Sequence, residues 1–327
     1  MDTAVLPDIL RISSADDELG NREGRFFGEG FKRVTHVLTD ITIRTTTDEV
    51  PGRVDATAGL GIPGTWSRKG DTQQRPHLST IDAMLFAAQL TGLYAAHSFG
   101  LPPTSPFLIR SLVIKAGPAP DEESLDSFAV FATHHSTNDI AALGRRLTTM
   151  DCGIGSMTVR VVVEHAVTAE ASRAEGFYAR PEDLPGPWND APYGASHLGR
   201  HQFLDAIEAD IEAHTASAEL SITTDPDGTR RAALPPTMID LFTAALQLGQ
   251  ILLYRLDGLD RATSNTLWMR GTTIAPSAGD STDDGRFHVE LAKPAKLPTS
   301  RGTWRTGQIV ATVAGKRLTC NVAHLLP

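Results

Sequence analysis

Cysteine is nearly missing from this chain. Cys152 and Cys320 are the only two in 327 residues, too few for a disulfide framework. Neither stands near a second thiol or a tight histidine cluster, so no structural zinc site is expected. Positive charge is scarce as well: 30 Lys and Arg stand against 39 Asp and Glu, a formal net charge of −9. Binding nucleic acid requires a basic face to neutralise phosphates, so no nucleic-acid partner is expected. No apolar run reaches membrane-spanning length. The first residues, MDTAVLPDILRISSADDELG, are acidic and hold no long apolar core, unlike a signal peptide. These absences point to a cytoplasmic protein without a membrane partner. No motif calls for a metal or an organic cofactor.

What the chain does hold is a repeat. Placing Ile81-Asp82 on Ile239-Asp240, an offset of 158, brings Gln89 onto Gln247, Leu90 onto Leu248 and Gly100-Leu101 onto Gly258-Leu259. Downstream, FLIRSLVI meets LWMRGTTI with Arg110 on Arg270 and Ile114 on Ile274, an offset of 160. SFAVF meets RFHVE with Phe128 on Phe287 and Val130 on Val289, and the last strands end on His165 and His324, both at 159. Upstream, DITIRTT meets ELSITTD with Ile41 on Leu220 and Ile43 on Ile222, at 179.

Each half reads the same way. A β-hairpin comes first, near 34–45 and 53–58, then near 216–224 and 230–233 with a turn at DPDG. A long helix follows, about 82–97 and 239–255, apolar almost all round as a buried helix is. Three or four alternating strands close each half. A curved antiparallel sheet around one buried helix is the hot-dog arrangement, and two in one chain make an α+β double hot dog. The expected units are residues 1–167 and 201–327, joined by a Pro- and Gly-rich connecting loop over 168–200. HQFLDAIEADIEAH (201–214) fits two readings: a helix, from Phe203, Ile207 and Ile211 at i, i+4, or the first strand of the second half.

The candidate chemistry sits at the helix starts. A helix N-terminus presents backbone N–H groups and a positive dipole end, which polarise a thioester carbonyl. Asp82 and Asp240 stand there as candidate bases, or as first-turn caps that stabilise the helix. Gln89 and Gln247 lie two turns on, along the same face. A buried amide needs a partner, either sheet backbone or a ligand. Arg110 and Arg270 follow each helix and bind a carboxylate or phosphate if they point inward, or face solvent if they do not. His77, in RPHLSTID, is a third catalytic candidate. Its counterpart is Pro235, so the two halves have diverged there. Trp268, with Trp188 and Tyr193, is a candidate pocket wall.

PPTMIDLFTAALQ resembles the dehydratase helix pattern His-Pro-x-Leu-Leu-Asp, with Pro235 in place of the His. The second dehydratase signature, His-x3-Gly-x4-Pro on an early strand, is missing. REGRFFGEGFKRVTHVLTDI (22–41) resembles the start of the AvrD, or avirulence protein D, family, which matches this chain in length. The chain is also similar to double hot-dog A-factor-type butenolide synthases. These resemblances imply an acyltransferase-type enzyme in secondary metabolism. It would condense a β-ketoacyl thioester, carried by acyl carrier protein or coenzyme A, with a sugar-like acceptor to give syringolide- or butenolide-like molecules. The alternatives are a hot-dog hydratase, dehydratase or thioesterase, or a non-catalytic acyl-binding module. A homodimer is a further expectation.

Overall fold

Two long helices begin alike. In α2 (Thr80–Phe99) the Ser79 hydroxyl accepts from the Asp82 N–H, and the Asp82 carboxylate accepts from the Ser79 N–H at 2.7 Å. In α3 (Met238–Leu256) Thr237 and Asp240 exchange the same pair of bonds. This reciprocal capping box satisfies two amide donors that a helix start leaves open. It also fixes both aspartates in the first turn, where the dipole favours negative charge. On α2 only Gln89 and Phe99 escape burial, and on α3 only Arg255 and Leu256. The structure, a computed structural model, describes residues 9–64, 66–70, 72–168, 173–187, 196–228, 234–277 and 285–327.

Around α2 lie seven antiparallel strands, numbered along the chain: β2 (Thr35–Arg44), β3 (Arg53–Gly61), β6 (Phe107–Lys115), β7 (Phe128–Ile140), β8 (Arg145–Ile154), β9 (Met157–Ala166) and β10 (Glu175–Tyr178). Their spatial order is β6-β9-β8-β7-β3-β2-β10. Around α3 lie β1 (Ile9–Ser14), β11 (His201–Asp210), β12 (Thr215–Thr223), β13 (Trp268–Pro276), β14 (Phe287–Thr299), β15 (Gly302–Val313) and β16 (Lys316–Leu325). Their order is β13-β16-β15-β14-β12-β11-β1. Strand for strand this is one plan used twice, a double hot dog of α+β class. The α3 unit also holds the short α1 (Ala15–Leu19) and a small hairpin of β4 (Arg68–Lys69) and β5 (Thr72–Gln73).

Three readings of the sequence change. First, of the two readings of 201–214 the helix falls and the strand holds: residues 201–210 are strand, paired antiparallel with β12. A bulge between Asp205 and Glu208, with Ala206 at φ 47°, moves the inward face from Leu204 to Ile207. That added residue makes the apolar spacing look helical. Second, the first hairpin of the α3 unit is therefore β11–β12. DPDG does turn, with Gly228 N–H donating to Asp225 C=O at 3.1 Å, but the expected strand 230–233 lies outside the described residues. The counterpart of β11 is β2, whose own bulge between Thr39 and Thr42 carries Asp40 at φ 53°. The repeat thus runs through the hairpin at offsets near 162–166 rather than 179. Third, the segment 168–200 is not all loop. It supplies β10, which pairs with β2 as β1 pairs with β11. The compact units are Lys32–Pro63 with Arg75–Leu198, and the chain up to Phe31 with Gly64–Gln74 and Gly199–Pro327. The α3 unit therefore takes in residues 9–31, where Phe27 meets Phe242 at 5.9 Å and Phe26 meets Trp66 at 5.1 Å.

Among the described residues no helix is long and apolar enough to cross a membrane, and no group of three or more His, Cys, Asp or Glu could hold a metal ion.

Candidate functional site

The cap on α2 takes one oxygen of Asp82 and leaves the other. That second oxygen, Oδ1, meets His36 Nε2 at 2.7 Å. His36 lies on β2 in phase with the buried Leu38, so strand alternation turns it toward the helix. Both side chains are withdrawn from water, at 7% and 2% exposure. The His36 ring stands edge-on to Phe86 at 5.3 Å and to His197 at 6.4 Å. A carboxylate on Nε2 fixes the neutral imidazole with its proton there, leaving Nδ1 as the basic nitrogen. Nδ1 makes no hydrogen bond among the described residues.

The α3 unit shows what the same plan becomes without the histidine. Gln202 on β11 holds the place of His36: each lies two residues before a buried leucine, Leu204 or Leu38, ahead of the shared bulge. Asp240 Oδ1 accepts from Gln202 Nε2 at 2.6 Å, and Oδ2 accepts from Arg200 Nε at 2.9 Å and from the Thr237 hydroxyl at 2.8 Å. An amide and a fixed guanidinium cannot shuttle a proton near neutral pH, whereas an imidazole can. The two aspartates are thus alike as caps and different as chemistry.

The other sequence candidates separate in space. His77 is half-buried in the loop before α2 and sets Nδ1 on the Arg75 carbonyl at 3.1 Å; the histidine bonded to Asp82 is His36. Gln247 accepts from Arg25 at 2.7 Å and donates to the Thr243 carbonyl at 3.3 Å. Arg25 is itself buried beside Asp16, and burial lowers it to about 10 against the pull of that carboxylate. Gln247 is therefore held by protein on both sides. Gln89 is half-buried and makes no hydrogen bond among the described residues. Arg110 and Arg270 occupy the same bulge in β6 and β13, between Ile109 and Ser111 and between Met269 and Gly271. Both are exposed, and Arg110 pairs with Glu164 at 2.6 Å. Neither faces its helix. Trp268 begins β13, half-buried, and Trp188 and Tyr193 lie outside the described residues. The sequence reading missed His36. Its signal was present in RVTHVLTDI, where it alternates in step with Leu38, but it carried weight only once β2 was set beside the helix start.

Solved structures similar to this chain include a putative thioesterase from Novosphingobium aromaticivorans, at 13% identity and TM-score 0.35, covering 87% of this chain and 98% of that one. A conserved protein with a hot dog fold from Alicyclobacillus acidocaldarius is 13% identical at TM-score 0.34, over 86% and 96% of the two chains. The dehydratase domain from the CurJ module of the curacin polyketide synthase is 10% identical at TM-score 0.33, over 86% and 95%. At these scores the likeness carries no argument about activity. No curated protein matches the chain. A family model described as Pseudomonas avirulence D protein (AvrD) matches residues 10–327, almost from end to end, and the chain belongs to that AvrD family.

Proposed function

We propose that this protein is an acyl-thioester enzyme that joins a β-ketoacyl group to a hydroxyl of a sugar-like acceptor, with His36 as base and Asp82 as the residue that orients it. The observation that carries this reading is the buried His36–Asp82 pair at the start of α2. Its Gln202–Asp240 counterpart on α3 holds no imidazole.

In this mechanism the thioester carbonyl lies at the positive end of α2, where developing negative charge is stabilised. His36 Nδ1 takes the proton of the acceptor hydroxyl as its oxygen attacks the carbonyl carbon. The tetrahedral intermediate expels the thiolate of coenzyme A or an acyl carrier protein. That thiolate takes the proton back from His36, leaving an ester and a thiol. Asp82 keeps Nε2 protonated and stabilises the imidazolium between the two transfers.

The test is mass spectrometry of reactions containing a β-ketoacyl thioester and a ketopentose. An ester of the two is expected with the native protein, and a fall of about 10²-fold or more with His36→Gln, a substitution that copies the pair already accommodated in the α3 unit. No ester from the native protein, or undiminished ester from His36→Gln, overturns the proposal. Free β-keto acid formed at the same rate without a ketose identifies a thioesterase instead. Saturable thioester binding with no turnover identifies a binding module.

A further inference from the structure

The far end of α2 holds a cavity of 380 Å³ inside the α2 unit, a size usual for small-molecule sites. Ser98, on its wall, stands 16 residues beyond Asp82, about 24 Å along the helix. This cavity is therefore separate from the His36–Asp82 pair.

The matching end of α3 is built differently. Phe99 and Asp257 are counterparts, each preceding Gly-Leu at the helix end. Arg146 faces His165 across β8 and β9 as Arg305 faces His324 across β15 and β16. On α3, Asp257 reaches into this trio: it accepts from Arg305 Nε at 2.8 Å, with His324 at 3.7 Å and Lys296 at 3.8 Å. On α2 the helix supplies Phe99 instead, and the carboxylate for the shared arginine comes from β7. Asp139 accepts from Arg146 at 2.6 and 3.1 Å, and the guanidinium lies over the Phe99 ring at 5.0 Å. The carboxylate has moved from the helix end to the sheet, and a pocket remains.

Hydrogen bonds on the pocket wall run in one direction. The Ala166 carbonyl can only accept, so His165 Nδ1 carries the proton in their 2.9 Å bond. Burial holds His165 below the usual histidine range, so the neutral ring accepts at Nε2 from Thr148 at 2.9 Å. Thr148 then accepts from Thr137 at 3.3 Å, and Thr137 from His134 Nε2 at 2.7 Å. Burial, with His135 beside it, also keeps His134 neutral. Its Nδ1 accepts from Thr46 at 2.7 Å, and Thr46 accepts from the Tyr94 hydroxyl at 3.0 Å. On the other wall Thr45 donates to the Arg173 carbonyl and Ser98 donates to Thr45, while Thr168 donates to the Phe99 carbonyl. Among the described residues every hydroxyl proton on these walls is already committed. What Ser98, Thr45, Thr137 and Thr168 still offer is acceptor lone pairs. Arg146, the one guanidinium among the described lining residues, is paired with Asp139.

We propose that this pocket binds a small uncharged polyhydroxylated molecule of monosaccharide size, whose O–H groups donate to these oxygens and whose apolar face lies against Phe99. An anion would meet acceptors and a cation already paired. The proposal rests on the pocket alone and stands whether or not His36 is a base.

Calorimetric titration of the intact protein with ribose, xylose and glycerol tests it, with inorganic phosphate and acetate as anionic contrasts. Saturable binding of a pentose that depends on Ser98 and Phe99 is expected, tighter than phosphate or acetate. It should weaken on the order of fivefold in Ser98→Ala and vanish in Phe99→Asp, which places a carboxylate beside Arg146 as Asp257 lies beside Arg305. Ser98→Ala removes one small oxygen, and its circular dichroism should match the native protein. The proposal is overturned if no polyol binds saturably, if phosphate binds more tightly than the pentoses, or if folded Ser98→Ala binds pentose as the native protein does.

Discussion

The partners of one aspartate separate the two helix starts. Asp82 and Asp240 have the same cap, the same turn and nearly the same burial, yet one holds an imidazole and the other an amide and a guanidinium. The consequences of removing them should therefore differ. Asp240→Ala removes the carboxylate half of the capping box and leaves Arg200 and Gln202 without their shared acceptor. The lost cap costs about 1 kcal/mol and the stranded polar groups about 1–3 kcal/mol more, so a loss near 2–4 kcal/mol is expected in urea unfolding. Ester formation per folded molecule should stay within about threefold of native. Asp82→Asn keeps the shape and most of the cap but no longer fixes the His36 tautomer. It should unfold close to the native midpoint and lose about 10²-fold or more in turnover. If turnover instead falls with Asp240→Ala and survives Asp82→Asn, the roles given to the two helix starts are reversed.

Among the elements, the helices were legible and the first hairpin of the second half was not. A 19- or 20-residue run, apolar almost all round with Asp at its head, reads as a buried helix, and the alternating strands around it say that sheet buries it. The later strands alternate cleanly, and they too follow from pattern. What pattern could not give was the bulge in β11. One extra residue between Asp205 and Glu208 converts a spacing of two into three, and a strand then imitates a helix. His36 stayed hidden for a related reason. Its meaning depends on which strand lies beside the helix start, and that pairing spans 46 residues. Close packing of α3 gives an element-scale test. A Cβ at Gly249 would lie 2.3 Å from Ile309 Cδ1 and 2.7 Å from its Cγ1. Alanine gains roughly 1 kcal/mol of helix propensity over glycine, but overpacking a buried β-branched neighbour costs about 1–3 kcal/mol. Gly249→Ala should therefore be destabilising overall, and Gly249→Ala with Ile309→Val should recover part of the loss. A melting temperature raised by Gly249→Ala alone would show that β15 yields more readily than its burial implies. The matching position of α2 is Thr91, so Ile309, not the helix, is what demands glycine here.

Across the whole molecule, buried histidines set the response to acid. Burial is the largest cause lowering His97, His134 and His165 in the α2 unit and His324 in the α3 unit. Each is neutral when folded and takes a proton more readily once unfolded. Below the ordinary histidine value near 6.5 the unfolded chain therefore binds more protons, and stability falls as pH falls through that value. Lys69 acts with the same sign in a higher window. Burial, with Arg261 nearby, lowers it from 10.5 to about 7, so it contributes a stability that rises with pH between those values. The paired carboxylates Asp139, Asp151 and Asp257 are lowered from 3.8, and their contribution is lost only in stronger acid. Net charge works the other way, because a chain with pI near 5.6 repels itself less as pH drops toward that value. At 0.15 M salt or more this long-range term is largely screened, and the buried groups should dominate. Urea midpoints measured in such salt should fall steadily from pH 7 to pH 5. They should also rise from pH 7 to pH 9, and Lys69→Met should flatten that upper slope while leaving the lower one. A midpoint that climbs on going from pH 7 to pH 5 would mean that surface repulsion outweighs four buried imidazoles.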